Sequence, residues 1–383
     1  MKKTWVNIQD VLFFQEGPGV RNTQYTTEGV KLLNVANLVD GKVDLSTSDR
    51  YISEEEAYGK YKHFLCNEGD FVIASSGIKV EYIDKKMGFI DKSMLPLCMN
   101  TSTIRFRVLD ENQLRIRYFM YYLKSQHFKG QLFRYITGSA QLNYGPSHLK
   151  KMVMPLIDLV KQDEIIACMD KIQSIIEMRQ QELDELDNLV KARFVEMFGT
   201  LHDNENGFDI VTIEDVCSLI KDGTHQTPQY TEDKKEGYKF LSSKDVMSQK
   251  VDWTNIKYIP AELHEKLYAT IKPQRNDILM SKNGVNYGIA AVNDTDEVFD
   301  IYVSLALLRP KKIIDPVFLK CVINNPETKW QFDSSIKGIG VPNLHLGEIK
   351  KTRMFLPPIE LQNQFADFVK KIDKSKVIFK FCS

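Results

Sequence analysis

Apolar positions along the chain fall into three patterns. Short runs rich in Val, Ile, Tyr and Phe, broken by Gly, Asn and Asp, predict β-strands joined by turns. Phe71-Val72-Ile73 and Ile278-Leu279-Met280 are continuous enough to predict buried strands. Around 116–135 and 316–332 the period becomes helical, as in Tyr118-Phe119-Met120-Tyr121-Tyr122-Leu123. The third pattern is the most regular. Ile165, Met169, Ile172, Ile176, Leu183, Leu186, Val190 and Met197 recur in alternating steps of four and three, with Arg179 and Arg193 in the two positions left over. This is a heptad seam, flanked by the solvated Glu182, Asp184, Glu185, Asp187 and Lys191. It predicts one helix from about Gln162 to Phe198, ~55 Å long at ~1.5 Å per residue. Gly199 ends it, and 201–207 form a polar linker. A helix with one narrow apolar stripe needs cover, in the first place a partner helix, with packing on one of the two globules as the alternative.

The chain also repeats itself. Val6-Asn7-Ile8-Gln9-Asp10-Val11 returns as Val211-Thr212-Ile213-Glu214-Asp215-Val216, and Gly29-Val30-Lys31-Leu32-Leu33 as Gly237-Tyr238-Lys239-Phe240-Leu241. Val43-Asp44-Leu45 and Tyr51-Ile52 match Val251-Asp252-Trp253 and Tyr258-Ile259. Gly69-Asp70-Phe71-Val72-Ile73 through Gly77 matches Asn276-Asp277-Ile278-Leu279-Met280 through Gly284. Gly138 to Asn143 pairs with Gly338 to Asn343, Lys150-Lys151 with Lys350-Lys351, and Pro155-Leu156-Ile157 with Pro357-Pro358-Ile359. Collinear matches in this number imply a duplication. The expected fold class is α+β: two repeated globules at 1–154 and 208–354, a long helix at 155–199, a linker at 200–207 and a short helix at 355–383. In that last helix Phe365, Val369, Ile372 and Phe379 continue a seam. That helix is the candidate partner of the first and the shorter of the two.

A chain of 383 residues, 43% hydrophobic and 27% charged, is composed as an ordinary globular protein. Disorder, collagen-like repeats and disulfide scaffolds are excluded. The six cysteines lie far apart with no C-x-x-C pair, which suits a reducing compartment and offers no zinc spacing. Neither a signal-peptide stretch nor a membrane-length apolar run occurs, so the expected location is cytoplasmic. Lys+Arg and Asp+Glu both number 51, a zero balance that argues against a nucleic-acid partner until it is divided by segment. Residues 1–155 hold 21 basic against 16 acidic, 156–199 hold 5 against 10, and 200–383 hold 25 against 25. Within the repeats, 101–155 has nine basic against two acidic residues, and 301–355 nine against four. Two basic stretches are thus masked by an acidic helix.

Catalytic constellations are scarce. A G-x-x-x-x-G-K-[ST] phosphate loop and a G-x-S-x-G nucleophile elbow are both absent. One nuclease-like fragment, Asp333 with Glu348-Ile349-Lys350, could place a carboxylate pair and a lysine around Mg²⁺. Its counterpart His148-Leu149-Lys150 has no carboxylate. The chain reads as a binding protein, not an enzyme, with a plain coiled-coil scaffold as the competing class.

These features resemble the DNA-specificity subunit of type I restriction–modification systems along essentially the whole chain. Asp222-Gly223-Thr224-His225-Gln226-Thr227-Pro228-Gln229-Tyr230 is similar to that family's G-T-H-x-T-P-x-Y opening of a target-recognition domain. The Gly69–Gly77 and Asn276–Gly284 stretches resemble its G-D-[IV]-L strand and loop, and Thr137–Asn143 the segment before its helix. Pro155-Leu156-Ile157-Asp158…Gln162-Asp163-Glu164-Ile165 and Pro357-Pro358-Ile359-Glu360-Leu361-Gln362 resemble its helix start. The first copy departs at its opening, reading Gly17-Pro18-Gly19-Val20-Arg21-Asn22-Thr23-Gln24-Tyr25. The short second helix departs as well and reads as truncated, which predicts self-association through the exposed seam or weaker assembly. The resemblance implies no catalysis in this chain. Each target-recognition domain would read half of a bipartite DNA site, while the helices set the gap and dock two adenine methyltransferase (modification) subunits. Restriction subunits, which are motor nucleases, would join that core, and S-adenosylmethionine, ATP and Mg²⁺ would be held by the partner subunits. Lys79, Thr224, His225, Lys282 and Asn286 are the candidate DNA contacts in the loops. Lys150, Lys151, Lys350 and Lys351 are the candidate phosphate contacts.

Overall fold

The computed structural model describes residues 4–77, 79–136, 144–336 and 342–381, with side chains through 376. The Thr137–Asn143 turn, the Gly338 end of its repeat match and the Phe379 side chain lie outside what is described. The chain forms two compact units, Met1–Ile176 and Glu177–Ser383. The boundary falls inside the predicted long helix, which runs Leu159–Phe198 over 40 residues. We call it the linking helix. It is not a body of its own: its first half packs on one unit and its second half enters the core of the other.

The units match in their main, side and closing sheets, and the first adds a small hairpin, Leu38–Val39 with Lys42–Val43. In the first, a four-stranded antiparallel sheet has the order Leu12–Glu16, Thr103–Val108, Phe71–Ala74, Met87–Phe89. The second repeats it with Cys217–Asp222, Leu305–Pro310, Ile278–Ser281, Ala290–Val292. Each has a three-stranded mixed sheet beside it: Tyr51–Ile52, Val30–Leu33, Leu97–Met99 and then Lys257–Ile259, Tyr238–Leu241, Phe299–Ile301. Thr4–Asn7 pairs with Val153–Leu156, and Asp209–Thr212 with Arg353–Leu356, so each unit is closed by its first and last strands. The central strands Phe71–Ala74 and Ile278–Ser281 are buried at every position, as their unbroken apolar runs require.

Helix pairs cover one face of each main sheet, Ile116–Lys124 with Gln126–Tyr135 and Pro316–Ile323 with Pro326–Ser335. Phe119, Phe128 and Leu132 close the first core, and Phe318, Leu319 and Phe332 the second. Even side-chain bonds repeat at an interval of 200. Gln131 bonds both backbone groups of Val153, and Gln331 both of Arg353.

Two buried glutamines seat the seam helices. Gln162 accepts from Arg115 N–H and donates to the carbonyls of Gln113 and Ile157. Gln362 accepts from Asp315 N–H and donates to Ile313 and Pro357. The first half of the linking helix is also tied down by Arg115–Asp163, Arg117–Asp170 and Tyr121–Asp170.

The heptad reading needs correction in its second half. Leu183, Leu186, Val190 and Met197 are only half-buried, while Phe194 and Phe198, off the predicted stripe, are buried against Phe318, Phe355 and Phe365. This half faces a broad aromatic core as well as a helix, so its apolar arc is wider than a two-helix seam. The terminal helix, Ile359–Phe381, runs antiparallel beside it. Phe365 meets Phe194 and Phe198 at 5.5 Å, and Lys376 pairs with Asp187. Phe365 and Val369 are buried and Ile372 half-buried. In the first half Met169 is half-buried, but Ile165, Ile172 and Ile176 are 37%, 45% and 54% exposed.

Candidate nucleic-acid interface

In each unit the loops gather at one end of the main sheet. In the second unit Thr224 bridges Tyr302, Asn283 bridges Asn343, Gly284 N–H donates to Pro342 and Leu344 N–H to Lys282. Segments far apart in sequence thereby become one surface. Gly223 is forced at the first strand's end, because a Cβ there would lie 2.0 Å from the Ile301 carbonyl oxygen. Gly17 has the same role, 2.1 Å from the Asn100 oxygen. The divergent first opening therefore leaves its strand at the same glycine, and then forms a 3-10 turn at Asn22–Gln24 that the second lacks.

A carboxylate precedes each of these glycines. Glu16 accepts from Ser75 Oγ at 3.1 Å, and Asp222 pairs with Lys282 at 2.9 Å and His225 at 3.3 Å. Lys282 is therefore a correction: it is 4% exposed and neutralised by Asp222, so its ammonium braces the loop instead of meeting a ligand. Lys79, His225 and Asn286 are exposed at the loop end. Thr224 is half-buried, its hydroxyl accepting from Gln226 N–H. A polar cleft opens beside it, lined by Gln226, Pro228, Glu262 and Lys266.

The paired lysines are not brought to this end. Lys350 bonds Glu214, which precedes the first residue of Cys217–Asp222, so it lies about one strand length, roughly 17 Å at ~3.3 Å per residue, from the loops. Lys351 is exposed at the same end. Lys150 and Lys151, both exposed, flank Met152, whose carbonyl accepts from Ile8 N–H beneath the first sheet.

The basic stretches are less cationic than their count suggests. In 101–155, Arg105 and Arg107 both pair with Asp70, Arg115 with Asp163, Arg117 with Asp170 and Lys129 with Asp84. In 301–355, Arg309 pairs with Asp277, Lys329 with Asp333 and Lys350 with Glu214. The Asp70 carboxylate holds the Arg107 guanidinium above its ordinary pKa, and Asp277 does the same for Arg309. Among the aromatic residues of the first basic stretch, Tyr118, Tyr122, Phe128 and Tyr144 are core; Tyr121 is half-buried, and Phe133 and Tyr135 are exposed.

The nuclease-like fragment does not assemble. Asp333 is occupied by Lys329 and the Tyr287 hydroxyl, which hold its carboxyl below the usual range, while Lys350 faces Glu214. Among the described residues no three His, Cys, Asp or Glu side chains converge to hold a metal, and no helix is long and apolar enough to cross a membrane. Sequence reasoning missed Val285, which is 82% exposed between Gly284 and Asn286. The available signal was an apolar residue inside a glycine-bounded turn.

The family described as type I restriction modification DNA specificity domain matches twice, over residues 19–188 and 205–380. The MjaVIII type I restriction enzyme specificity subunit of Methanocaldococcus jannaschii is 23% identical over 190 residues, 49% of this chain and 43% of that protein. The EcoBI specificity subunit of Escherichia coli is 25% identical over 248 residues, 58% of this chain and 52% of that protein. The chain spans about half the length of the curated relatives it matches. Among solved structures, a type I restriction–modification S subunit from M. genitalium is similar at a TM-score of 0.52 and 15% identity, over 99% of this chain and 91% of that one. A structure from work on complex assembly of the type I R-M system is similar at 0.54 and 15%, over 99% and 92%. At that identity the likeness concerns the fold. The two family matches fall on the two repeats and cover most of the chain, which belongs to the type I restriction–modification DNA specificity family.

Proposed function

We propose that this chain is the sequence-reading subunit of a type I restriction–modification complex and carries out no catalysis itself. Each unit reads one half of a bipartite DNA site through the loop end of its main sheet. The linking helix fixes the gap between half-sites and, with the terminal helix, docks two adenine methyltransferase subunits. S-adenosylmethionine, ATP and Mg²⁺ belong to the methyltransferase and restriction subunits. One observation carries this reading: the units repeat each other in strand order and backbone bonding, yet present different side chains at corresponding loop positions. Lys79, two residues past Gly77, stands where the second unit has Asn286, two past Gly284. A shared scaffold with divergent loops is what two readers of different sequences require. The exposed Ile172, Ile175 and Ile176 supply an apolar face for a protein partner. Methylome sequencing of cells expressing the chain with its methyltransferase subunit tests the proposal. The expected result is a split methyladenine motif with a fixed gap; absence of any such motif would overturn it.

A further inference from the structure

The loop after Ile278–Ser281 is fixed at its base and free at its tip. Lys282 N–H donates to Ser304 at 3.0 Å, Gly284 N–H to Pro342 at 3.0 Å and Gly288 N–H to Ser281 at 2.7 Å. Ser281 Oγ donates to the Asn286 carbonyl at 2.8 Å and accepts from Ile289 N–H at 3.0 Å. Gly284 and Gly288 take φ of 85° and 87°, values that disfavour other residues. Tyr287 is buried beneath the loop, its hydroxyl on Asp333 and the Lys329 ammonium 3.8 Å over its ring. The side chains at the tip have no such ties. Val285 is more exposed than any other large apolar side chain among the described residues. The Asn286 amide is exposed and has no hydrogen-bond partner among them.

An aliphatic side chain held in water beside a free amide contributes nothing to folding, whereas a rigid loop binds with little loss of entropy. The chemistry of the pair is specific. A carboxamide offers one donor and one acceptor, matching N7 and N6–H of adenine in the major groove, and a branched aliphatic group fits the thymine methyl. We propose that Asn286 reads an adenine, and Val285 packs on a thymine methyl, in the half-site of the second unit. The assignment rests on the function proposed above. The first unit has Lys79 at the matching position, whose ammonium cannot accept from adenine, so this position reads adenine in the second half only.

The test uses the full chain complexed with its methyltransferase subunit, comparing the unaltered protein with Asn286→Ala, Val285→Ala and Asn286→Asp by methylome sequencing and duplex competition. Asn286→Ala should make one adenine position of one half degenerate, removing about tenfold to hundredfold of discrimination there. Val285→Ala should relax a thymine at that pair or its neighbour. Asn286→Asp keeps the acceptor, loses the N7 donor and should turn preference toward cytosine. In every variant the other half-motif should persist, which also shows that the complex has folded. An unchanged motif in Asn286→Ala, or losses spread over both halves, overturns the base assignment alone. If the unaltered complex yields no split motif, the functional reading fails and this assignment with it.

Discussion

Gln162 and Gln362 show how much one buried side chain can fix. Each joins the start of a seam helix to the loop before the first covering helix, satisfying one N–H and two carbonyls at that junction. Gln162→Leu should therefore destabilise the first unit by about 3 kcal/mol in urea titration; a change near zero would mean that water replaces the amide. The thiols separate just as clearly. Burial pushes Cys66, Cys98 and Cys217 up to about 12 and Cys321 up to about 11, while Cys168 is exposed on the linking helix. Iodoacetamide at neutral pH should modify Cys168 well before these four, as read by peptide mass spectrometry. The glutamines were visible in the sequence as parts of a motif, but their bonding was not. Lys282 is the opposite case. Its sequence context marks a loop lysine, yet its partner Asp222 lies sixty residues earlier, and no local pattern reveals an ion pair of that span.

Among the elements, the linking helix was the most legible and the most misread. Its period and its stop at Gly199, which takes a φ of 72°, follow from residue spacing. What covers each part does not, because an apolar stripe encodes the need for a partner and not the partner's shape. Phe194 and Phe198 became core because strands and a helix converge on them, while Ile172 and Ile176 met nothing comparable. The halves should then respond oppositely to substitution. Phe194→Ala should cost about 3–5 kcal/mol of stability by thermal or chemical denaturation. Ile172→Glu with Ile176→Glu should change stability by less than about 0.5 kcal/mol per site yet abolish co-purification of the methyltransferase subunits. Retained co-purification would remove this face from the proposed docking surface.

For the molecule as a whole, the zero net charge acquires a structural meaning. It does not conceal two open basic faces, since the arginines of the main sheets are largely consumed by Asp70 and Asp277. The main-sheet arginines therefore add little free positive charge for displacing counterions from a duplex. The chain without partners should bind DNA only at the non-specific level, roughly 10⁻⁴–10⁻⁶ M near physiological salt, with a shallow salt dependence in fluorescence anisotropy. Adding methyltransferase subunits should tighten binding and steepen that dependence. Tight, sequence-specific binding by the chain alone would contradict this expectation.

Because the first and last strands of each unit lie side by side, the chain enters and leaves a reader at neighbouring points. Such a module can be excised and replaced through two adjacent junctions, near Asn7 and Val153 or near Thr212 and Arg353, while the helices outside them keep their seating. On the function proposed above, a chimera that exchanges one unit across such junctions would change one half-site and keep the other, so combinations multiply without any new protein fold.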